Sequence, residues 1–359
     1  MRPGLIEHPD RDFAPVFGVF GDSLPDGWGL LLMDREFRKQ GLNPTRMSPL
    51  DRLAYIGARG MGALTYHPAT TPSTVDGMEL DLDALARQAE RILEGSPEAV
   101  LPALRVAGGS PGGARPKVLV GVDDGSGRIV SGAAELPAGY RSFLLKFGTA
   151  ADGPEIGAVE AAYASMAEEA GIEVPPTRLF ETEEGRYFGA ERFDRRSGQR
   201  VHMHTLSGLL HASHRIPSVD YDGFLRATLL LTHDHRQVEE AYRRMAFNVL
   251  VHNRDDHVKN VSYLMETDGT WRLSPAYDLV FSDGPGGEHT MSVAGEARRP
   301  GTAEMLRVAK DAGIDPRRAQ GMIDEVRDAV EQWPRFAEAT GVSGELTHRI
   351  DQTLAEVRA

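Results

Sequence analysis

The sequence predicts an α+β protein of two lobes, a small β-rich lobe followed by a larger, all-helical one. Three observations predict it. Residues 105–200 read as short strands broken by turns, with one helix among them. From about residue 220 the pattern is mostly helical to the end. Within that part, the apolar run Met245-Ala246-Phe247-Asn248-Val249-Leu250-Val251 leads into Asn253-Arg254-Asp255-Asp256-His257-Val258-Lys259-Asn260, where an Asp and an Asn stand five positions apart. Three regions are expected: 1–98, 99–200 and 201–359.

The first region opens on a Gly-rich stretch, Gly18-Val19-Phe20-Gly21-Asp22-Ser23-Leu24-Pro25-Asp26-Gly27-Trp28-Gly29, and continues into a helix over Leu30 to Gln40. A second helix starts at Ser48-Pro49-Leu50-Asp51, a cap residue before a Pro at the first helical position. A third is capped near Asp81-Leu82-Asp83 and ends near Gly95. In the second region Lys117 to Val122 is a strand, Asp123 to Gly127 a hairpin turn and Arg128-Ile129-Val130 the return. Phe143 to Phe147 is a further strand, and Glu155 to Ala170 a helix stopped by Gly171. Strands over Thr177–Phe180 and Tyr187–Phe193 flank a turn at Glu183-Glu184-Gly185.

With 359 residues the chain can form two or three domains or one large two-lobed enzyme, and a 41% apolar content can fill its core. The absence of cysteine excludes disulfides and thiol catalysis and fits a reducing cytoplasm. Met1 to Asp12 is polar and charged, unlike a secretory signal. The longest apolar run, Phe224 to Thr232, carries Arg226 and falls short of the roughly 18 residues of a membrane span. A formal charge of −13 repels phosphate backbones and argues against direct nucleic-acid binding, although Arg192, Arg195, Arg196 and Arg200 could form a local basic patch.

The Asp255/Asn260 spacing is that of the protein-kinase catalytic loop, H-R-D-x-x-x-x-N, with Asn253 in place of the His. There the Asp accepts the proton of a substrate hydroxyl and the Asn holds magnesium, so Asp255 is the expected base and Asn260 a metal ligand. Asp278, after Trp271-Arg272-Leu273-Ser274-Pro275-Ala276-Tyr277, takes the place of the second metal-binding Asp. Both offer the oxygen donors that Mg²⁺ prefers. The other parts of a phosphoryl-transfer site follow in order. Ala107-Gly108-Gly109-Ser110-Pro111-Gly112-Gly113-Ala114-Arg115-Pro116-Lys117 is a Gly-rich loop whose backbone N–H groups, at Gly109, Ser110, Gly112 and Gly113, could cradle ATP phosphates. No GK[ST] follows, so it is not a Walker A motif. Ser110 reads equally as a phosphate contact, a phosphorylation site or a turn residue. Lys146, alone in an apolar strand, is the expected phosphate-gripping lysine, with Glu160 as its helix partner and Glu155 as the competitor. Glu191-Arg192-Phe193-Asp194-Arg195 is the expected adenine-contacting segment, through Glu191 and Phe193. His257 and Lys259 would orient the loop or steady the transferred phosphate; a structural hydrogen-bonding role fits His257 as well.

Other chemistries fit less. His202, His204, His211, His214, His233 and His235 with Asp234 invite a zinc site but lack H-E-x-x-H spacing. Ser207 and Ser292 lack a G-x-S-x-G elbow. Two rivals to a kinase stand open: a nucleotide-binding module that acts on a DNA-binding partner without catalysis, and a metal-dependent phosphohydrolase built on Asp255, Asp256, His257 and Asp278.

The segments Ala246 to Val251, Asp255 to Asn260 and Leu273 to Asp278 together resemble the HipA family of bacterial serine/threonine kinases. The Ala107–Lys117 loop, Glu191 to Arg195, Ser23 to Gly27 and Gly57 to Gly62 extend the resemblance, which runs from about residue 13 to at least 300. It implies a kinase-like small lobe, an all-helical large lobe and an N-terminal subdomain, with ATP and Mg²⁺. It further implies a toxin that phosphorylates a translation factor, typically an aminoacyl-tRNA synthetase, and a helix-turn-helix antitoxin as partner. Autophosphorylation of a serine in the Gly-rich loop is a family feature, for which Ser110 is the nearest candidate. Longer members carry a β-rich piece ahead of the segment matching Phe13 to Gly29. The expectation is that a separate small protein supplies it or that this chain is a shortened form. The composition of Gly108 to Arg115 also departs from the best-known members.

Overall fold

The computed structural model describes residues 16–70, 78–96, 104, 113–132 and 136–358. Four helices come first: α1 (Gly18–Gly21), α2 (Gly27–Lys39), α3 (Pro49–Ile56) and α4 (Leu82–Leu93). The predicted caps operate. Ser48 and Asp51 form a reciprocal capping box ahead of Pro49, and the Asp81 carboxylate accepts from Ala84 N–H at 2.9 Å.

The β-rich part is a single antiparallel sheet in the order β2-β1-β3-β5-β4. Its strands are β1 (Lys117–Asp123), β2 (Ile129–Ser131), β3 (Tyr140–Lys146), β4 (Thr177–Glu181) and β5 (Arg186–Glu191). Alternation sorts their side chains into two faces. Val118, Val120, Val122, Phe143, Leu145, Phe147 and Phe180 face α2 and α4 and bury one cluster with Trp28, Leu32, Leu85 and Ile92. The N-terminal helices therefore share the core of the sheet. On the opposite face Ala161 and Ala164 of α5 (Ile156–Glu169) pack on Phe188. Gly171, at φ +76°, ends α5 as expected.

Beyond a short ribbon, β6 (Arg195–Arg196) with β7 (Gln199–Arg200), come β8 (His202–Thr205), α6 (Leu206–Leu210), α7 (Tyr221–Thr232) and α8 (His235–Leu250). The second half is not all-helical. β9 (Ser262–Met265) and β10 (Trp271–Leu273) join β8 in a three-stranded antiparallel sheet. Helical periodicity on both sides masks the hairpin, whose own signal is Asp268-Gly269 between β-forming residues, with Gly269 at φ +85°. α9 (Thr302–Asp311), α10 (Pro316–Glu331), α11 (Trp333–Thr340) and α12 (Gly344–Arg358) complete the fold. Their apolar faces enclose Tyr242, Phe247 and Tyr163 in one large core. Tyr163 of α5 stacks edge-on against Trp333 and donates to Val251 O at 3.0 Å, fastening the helix of the small sheet to the end of α8.

The arginines expected as a basic patch turn inward instead. Arg192 and Arg195 both clasp Asp194, which also accepts from Gly62 N–H at 2.6 Å, and Arg195 donates to Gly60 O at 3.0 Å. Arg196 pairs with Glu266 at 2.9 Å and Arg200 donates to Ala58 O. Arg195 and Arg200 pin the carbonyls of the Gly57–Gly62 turn and Arg192 braces Asp194, while Arg196 ties β6 to the turn after β9. Burial opposes the Asp194 charge, but the two arginines outweigh it and hold its carboxyl down at about 2.

The α1 segment lies flush on α6. Gly18 N–H donates to His211 Nε2 at 3.1 Å, and a Cβ at Gly18 would stand 1.8 Å from Gly208 O. Gly18→Ala is therefore expected to cost about 1–3 kcal/mol by overpacking and to lower the thermal melting midpoint. An unchanged melt would show that this contact yields freely.

Candidate active site

Lys146 ends β3 on the face opposite Leu145 and Phe147, as its strand position predicts. Its ammonium meets Glu160 Oε1 at 2.8 Å and Asp278 Oδ1. One cation thus joins the sheet, helix α5 and the loop after β10. Burial opposes the Lys146 charge, but Asp278 and Glu160 prevail and raise its pKa above the ordinary lysine value. Burial likewise works against the Asp278 charge, yet Lys146 and then Lys117 hold that carboxyl far below the usual carboxylate range. Asp278 sits at φ +56°, a strained position for a residue with a side chain. Glu155, the competitor for Lys146, is occupied elsewhere: its carboxylate accepts from Ser343 N–H at 2.5 Å.

The catalytic-loop segment is held at both ends. After α8, Asn253 N–H donates to Asn248 O at 2.9 Å and closes the helix. Before β9, Tyr277 OH donates to Lys259 O at 2.7 Å and lies 2.5 Å from Ser262 Oγ. The β9–β10 hairpin sets the spacing between Asn260 and Asp278, and both line one cavity together with Asn253, Asp256 and Tyr277. The two adjacent aspartates are used differently. Asp256 is 2% exposed and saturated by Tyr221 OH at 2.6 Å, His289 Nδ1 at 2.9 Å and Thr290 N–H at 2.7 Å. Asp255 is exposed, within electrostatic reach of His257, Asp278 and Arg115. The protein mass beside it disfavours its charge; His257 counters this and the Asp278 and Asp256 carboxylates add to it, so its pKa is raised. Asn260 spends its amide N–H on Asp255 O at 2.8 Å, which directs its oxygen elsewhere.

Asn260 and Asp278 line the same cavity, each with a side-chain oxygen to offer, and Asp278 stays ionised. This donor set fits Mg²⁺. Lys146, Lys117 and Arg115 bring positive charge to Asp278. Lys117 opens β1 directly opposite Lys146 in the register and is 5% exposed, and its burial lowers its pKa. Arg115 bridges Glu160 at 3.1 Å and Asp152 at 2.8 Å. Both lie in the quoted Gly-rich loop; the signal for Lys117 is its place one strand across from Lys146.

Gly109, Ser110 and Gly112 lie outside the described residues. Gly113, at φ +99°, is described, and its N–H donates to Asp26 Oδ1. Lys259 pairs with the other oxygen of the same carboxylate. The His257 ring stands 5.6 Å from that of His214, whose pKa burial and then Lys259 lower to about 4. At the expected adenine segment, Glu191 N–H is spent on Pro176 O and Arg192 N–H on Ser142 O, both at 2.8 Å, and the Glu191 carboxylate faces Arg141. Neither N–H is left for an adenine edge. Phe193 packs on Tyr277 with ring centroids 5.8 Å apart, next to Asp278. Three histidines of the zinc reading serve packing and hydrogen bonds: His204 Nδ1 meets Asp22 Oδ2 at 2.5 Å, His211 accepts from Gly18, and His214 lies against His257.

Comparison with known proteins gives matches in sequence and in fold. Residues 109–333 match the family model described as a HipA-like C-terminal domain, and residues 6–67 match the HipA N-terminal domain. Among solved structures, the chain is similar to HipA of Shewanella oneidensis MR-1, from a complex with HipB and its operator DNA. The TM-score is 0.70 at 15% identity, over 94% of this chain and 83% of that one. It is also similar, at a TM-score of 0.39 and 9% identity over 60% of this chain and 92% of the other, to the Helicobacter pylori proinflammatory kinase CtkA.

Proposed function

The chain belongs to the HipA family, and we propose that within it this protein is an ATP- and Mg²⁺-dependent protein serine/threonine kinase of the toxin type. The observation that carries the reading is the double pairing of Lys146 with Glu160 and Asp278. A kinase needs this union of strand lysine, helix glutamate and metal-binding aspartate, and a binding module has no need of it. In this reading Asp255 accepts the proton of the substrate hydroxyl. Lys146, Lys117 and the Gly-rich loop hold phosphate oxygens, and Lys259 neutralises charge on the transferred group. Asn260 and Asp278 would hold Mg²⁺, which when bound neutralises phosphate charge. Phe193 covers the base from the junction of the two sheets.

The substrate we propose is a translation factor such as an aminoacyl-tRNA synthetase, and the partner a helix-turn-helix antitoxin. The family resemblance supports both, and the HipA relative was solved with HipB and operator DNA. A net charge of −13 suits a basic partner better than bare DNA. No helix among the described residues is long and apolar enough to cross a membrane, and the cytoplasmic location we propose follows from the proposed substrate, a translation factor.

The test is intact-protein mass after incubation with Mg-ATP, run beside Asp255→Asn. A phosphate-sized gain in the wild type alone is expected, and peptide mapping then assigns the serine, Ser110 first. Binding of Mg-ATP with neither phosphoprotein nor ADP formed would favour a non-catalytic regulator. Phosphate release to water without phosphoprotein would favour a phosphohydrolase.

A further inference from the structure

The segment Ser23-Leu24-Pro25-Asp26-Gly27-Trp28-Gly29 has no part in the chemistry assigned so far, yet it reaches the phosphate site. We infer that Asp26 is a positioning residue of that site, tying the Lys259 ammonium of the catalytic loop to the Gly113 end of the Gly-rich loop. The inference rests on the kinase reading and extends it, because it brings the N-terminal region into catalysis.

The first observation is the contact itself. One carboxylate accepts from Gly113 N–H through Oδ1 and from Lys259 Nζ through Oδ2, linking residues 87 and 233 positions away. The Asp26 side chain is 13% exposed and that of Lys259 23%, so water competes poorly for the pair. Burial opposes the Asp26 charge, but Lys259 and the Gly113 amide hold its carboxyl below the usual carboxylate value, and it stays ionised at neutral pH.

The second observation is a bond that Asp26 does not make. It is the N-cap residue of α2, with extended backbone at φ −126° and ψ 179°, where an Asp ordinarily accepts from the second or third N–H of its own helix. Asp81, Asp220, Asp234 and Asp315 all cap their helices in that way. Asp26 makes no side-chain cap bond and turns its carboxylate to the two loops instead. A local rule broken in favour of a distant contact is the pattern of a functional position.

The third observation is that the backbone around Asp26 is built for this approach. Gly27 sits at φ +40°, and a Cβ there would stand 2.5 Å from Gly113 O. Trp28 N–H donates to that same oxygen at 3.0 Å, while its ring, 1% exposed, is anchored in the core of the small sheet. Gly113 is thus held through both its N–H and its carbonyl by consecutive parts of one segment.

In the proposed reaction Lys259 has to meet the transferred phosphate at a fixed point. A lysine on a flexible stem does so only when something holds it. The experiment compares the full-length wild type, Asp26→Asn, Asp26→Glu, Lys259→Met and the Asp26→Asn/Lys259→Met double variant. It reads ADP formation from Mg-ATP, its kcat and KM, and the melting midpoint. Asp26→Asn is expected to lower kcat by roughly tenfold to a hundredfold with KM for ATP changed far less. Asp26→Glu should recover part of the loss, and the double variant should be no slower than Lys259→Met alone. Losses that add in the double variant, or that follow the melting midpoint, would make Asp26 a merely structural anchor and overturn the inference. Tighter ATP binding by Asp26→Asn at unchanged kcat would overturn it too, since the carboxylate would then be blocking the site. No ADP formation and no phosphate uptake by the wild type would sink the kinase reading itself, and this inference with it. An active wild type beside an equally active Asp26→Asn would remove the inference alone.

Discussion

Asp255→Asn is expected to lower phosphoryl transfer by about 10²–10⁴-fold while leaving the fold intact, as read by mass gain and by circular dichroism. The fold's dependence on this segment runs through its neighbour. Asp256 accepts from Tyr221, His289 and Thr290, whereas Asp255 is exposed. The raised pKa of Asp255 gives two further checks. A base must be ionised, so the acidic limb of kcat/KM should lie above that of an ordinary aspartate, with activity rising as pH rises through it. For stability the sign is opposite. Near the raised pKa the native state binds more proton than the unfolded state, so this group costs stability as pH rises. Asp255→Asn should therefore melt at the wild-type temperature or slightly above it at neutral pH. Full transfer by the variant would remove Asp255 from the role. A large fall in melting temperature would assign it to the fold.

Much of this candidate site is legible in the sequence because its signals are local. The Asp255–Asn260 spacing lies in one loop, and Lys146 stands out as the one charge between apolar neighbours on a strand. Glu160 was separable from Glu155 by place on the helix, and the structure gives each a different partner. Asp26 was not legible as a site residue, because its partners are 87 and 233 positions distant and its own context reads as a helix cap. The four arginines at 192, 195, 196 and 200 looked like a surface patch for the same reason: the acceptors that absorb them, such as Gly60 O and Glu266, are remote in sequence. The β9–β10 hairpin fell inside a long helical stretch, where three- and four-residue strands cannot outweigh the surrounding period. Tertiary pairing with β8 decides it.

Lys146→Met should combine loss of activity with a large loss of stability. The Lys146 side chain is 10% exposed and its ammonium serves two carboxylates, those of Glu160, with its side chain 4% exposed, and Asp278, 32%. Removing one partner of a buried pair costs about 3–5 kcal/mol, because the charge left behind has neither water nor counter-ion. Two features move the expectation to the low end, about 3 kcal/mol. Arg115 still reaches Glu160 at 3.1 Å, and a third of the Asp278 side chain keeps access to solvent. The pH dependence follows from the sign of the shifts. In the wild type the depressed carboxyl of Asp278 contributes stability above its unfolded pKa, lost only as pH falls through the lower folded value. Without Lys146 that carboxyl titrates higher, so its contribution disappears at higher pH. The gap in stability between wild type and variant should be widest near neutral pH and narrow as the Asp278 carboxyl is protonated in acid. Asp278→Asn on top of Lys146→Met should recover part of the loss by removing the carboxylate left unpaired, without recovering transfer. Denaturant titrations at neutral and acidic pH measure both effects. A gap that does not change with pH would mean that the loss comes from packing of the lysine stem and not from the paired charges.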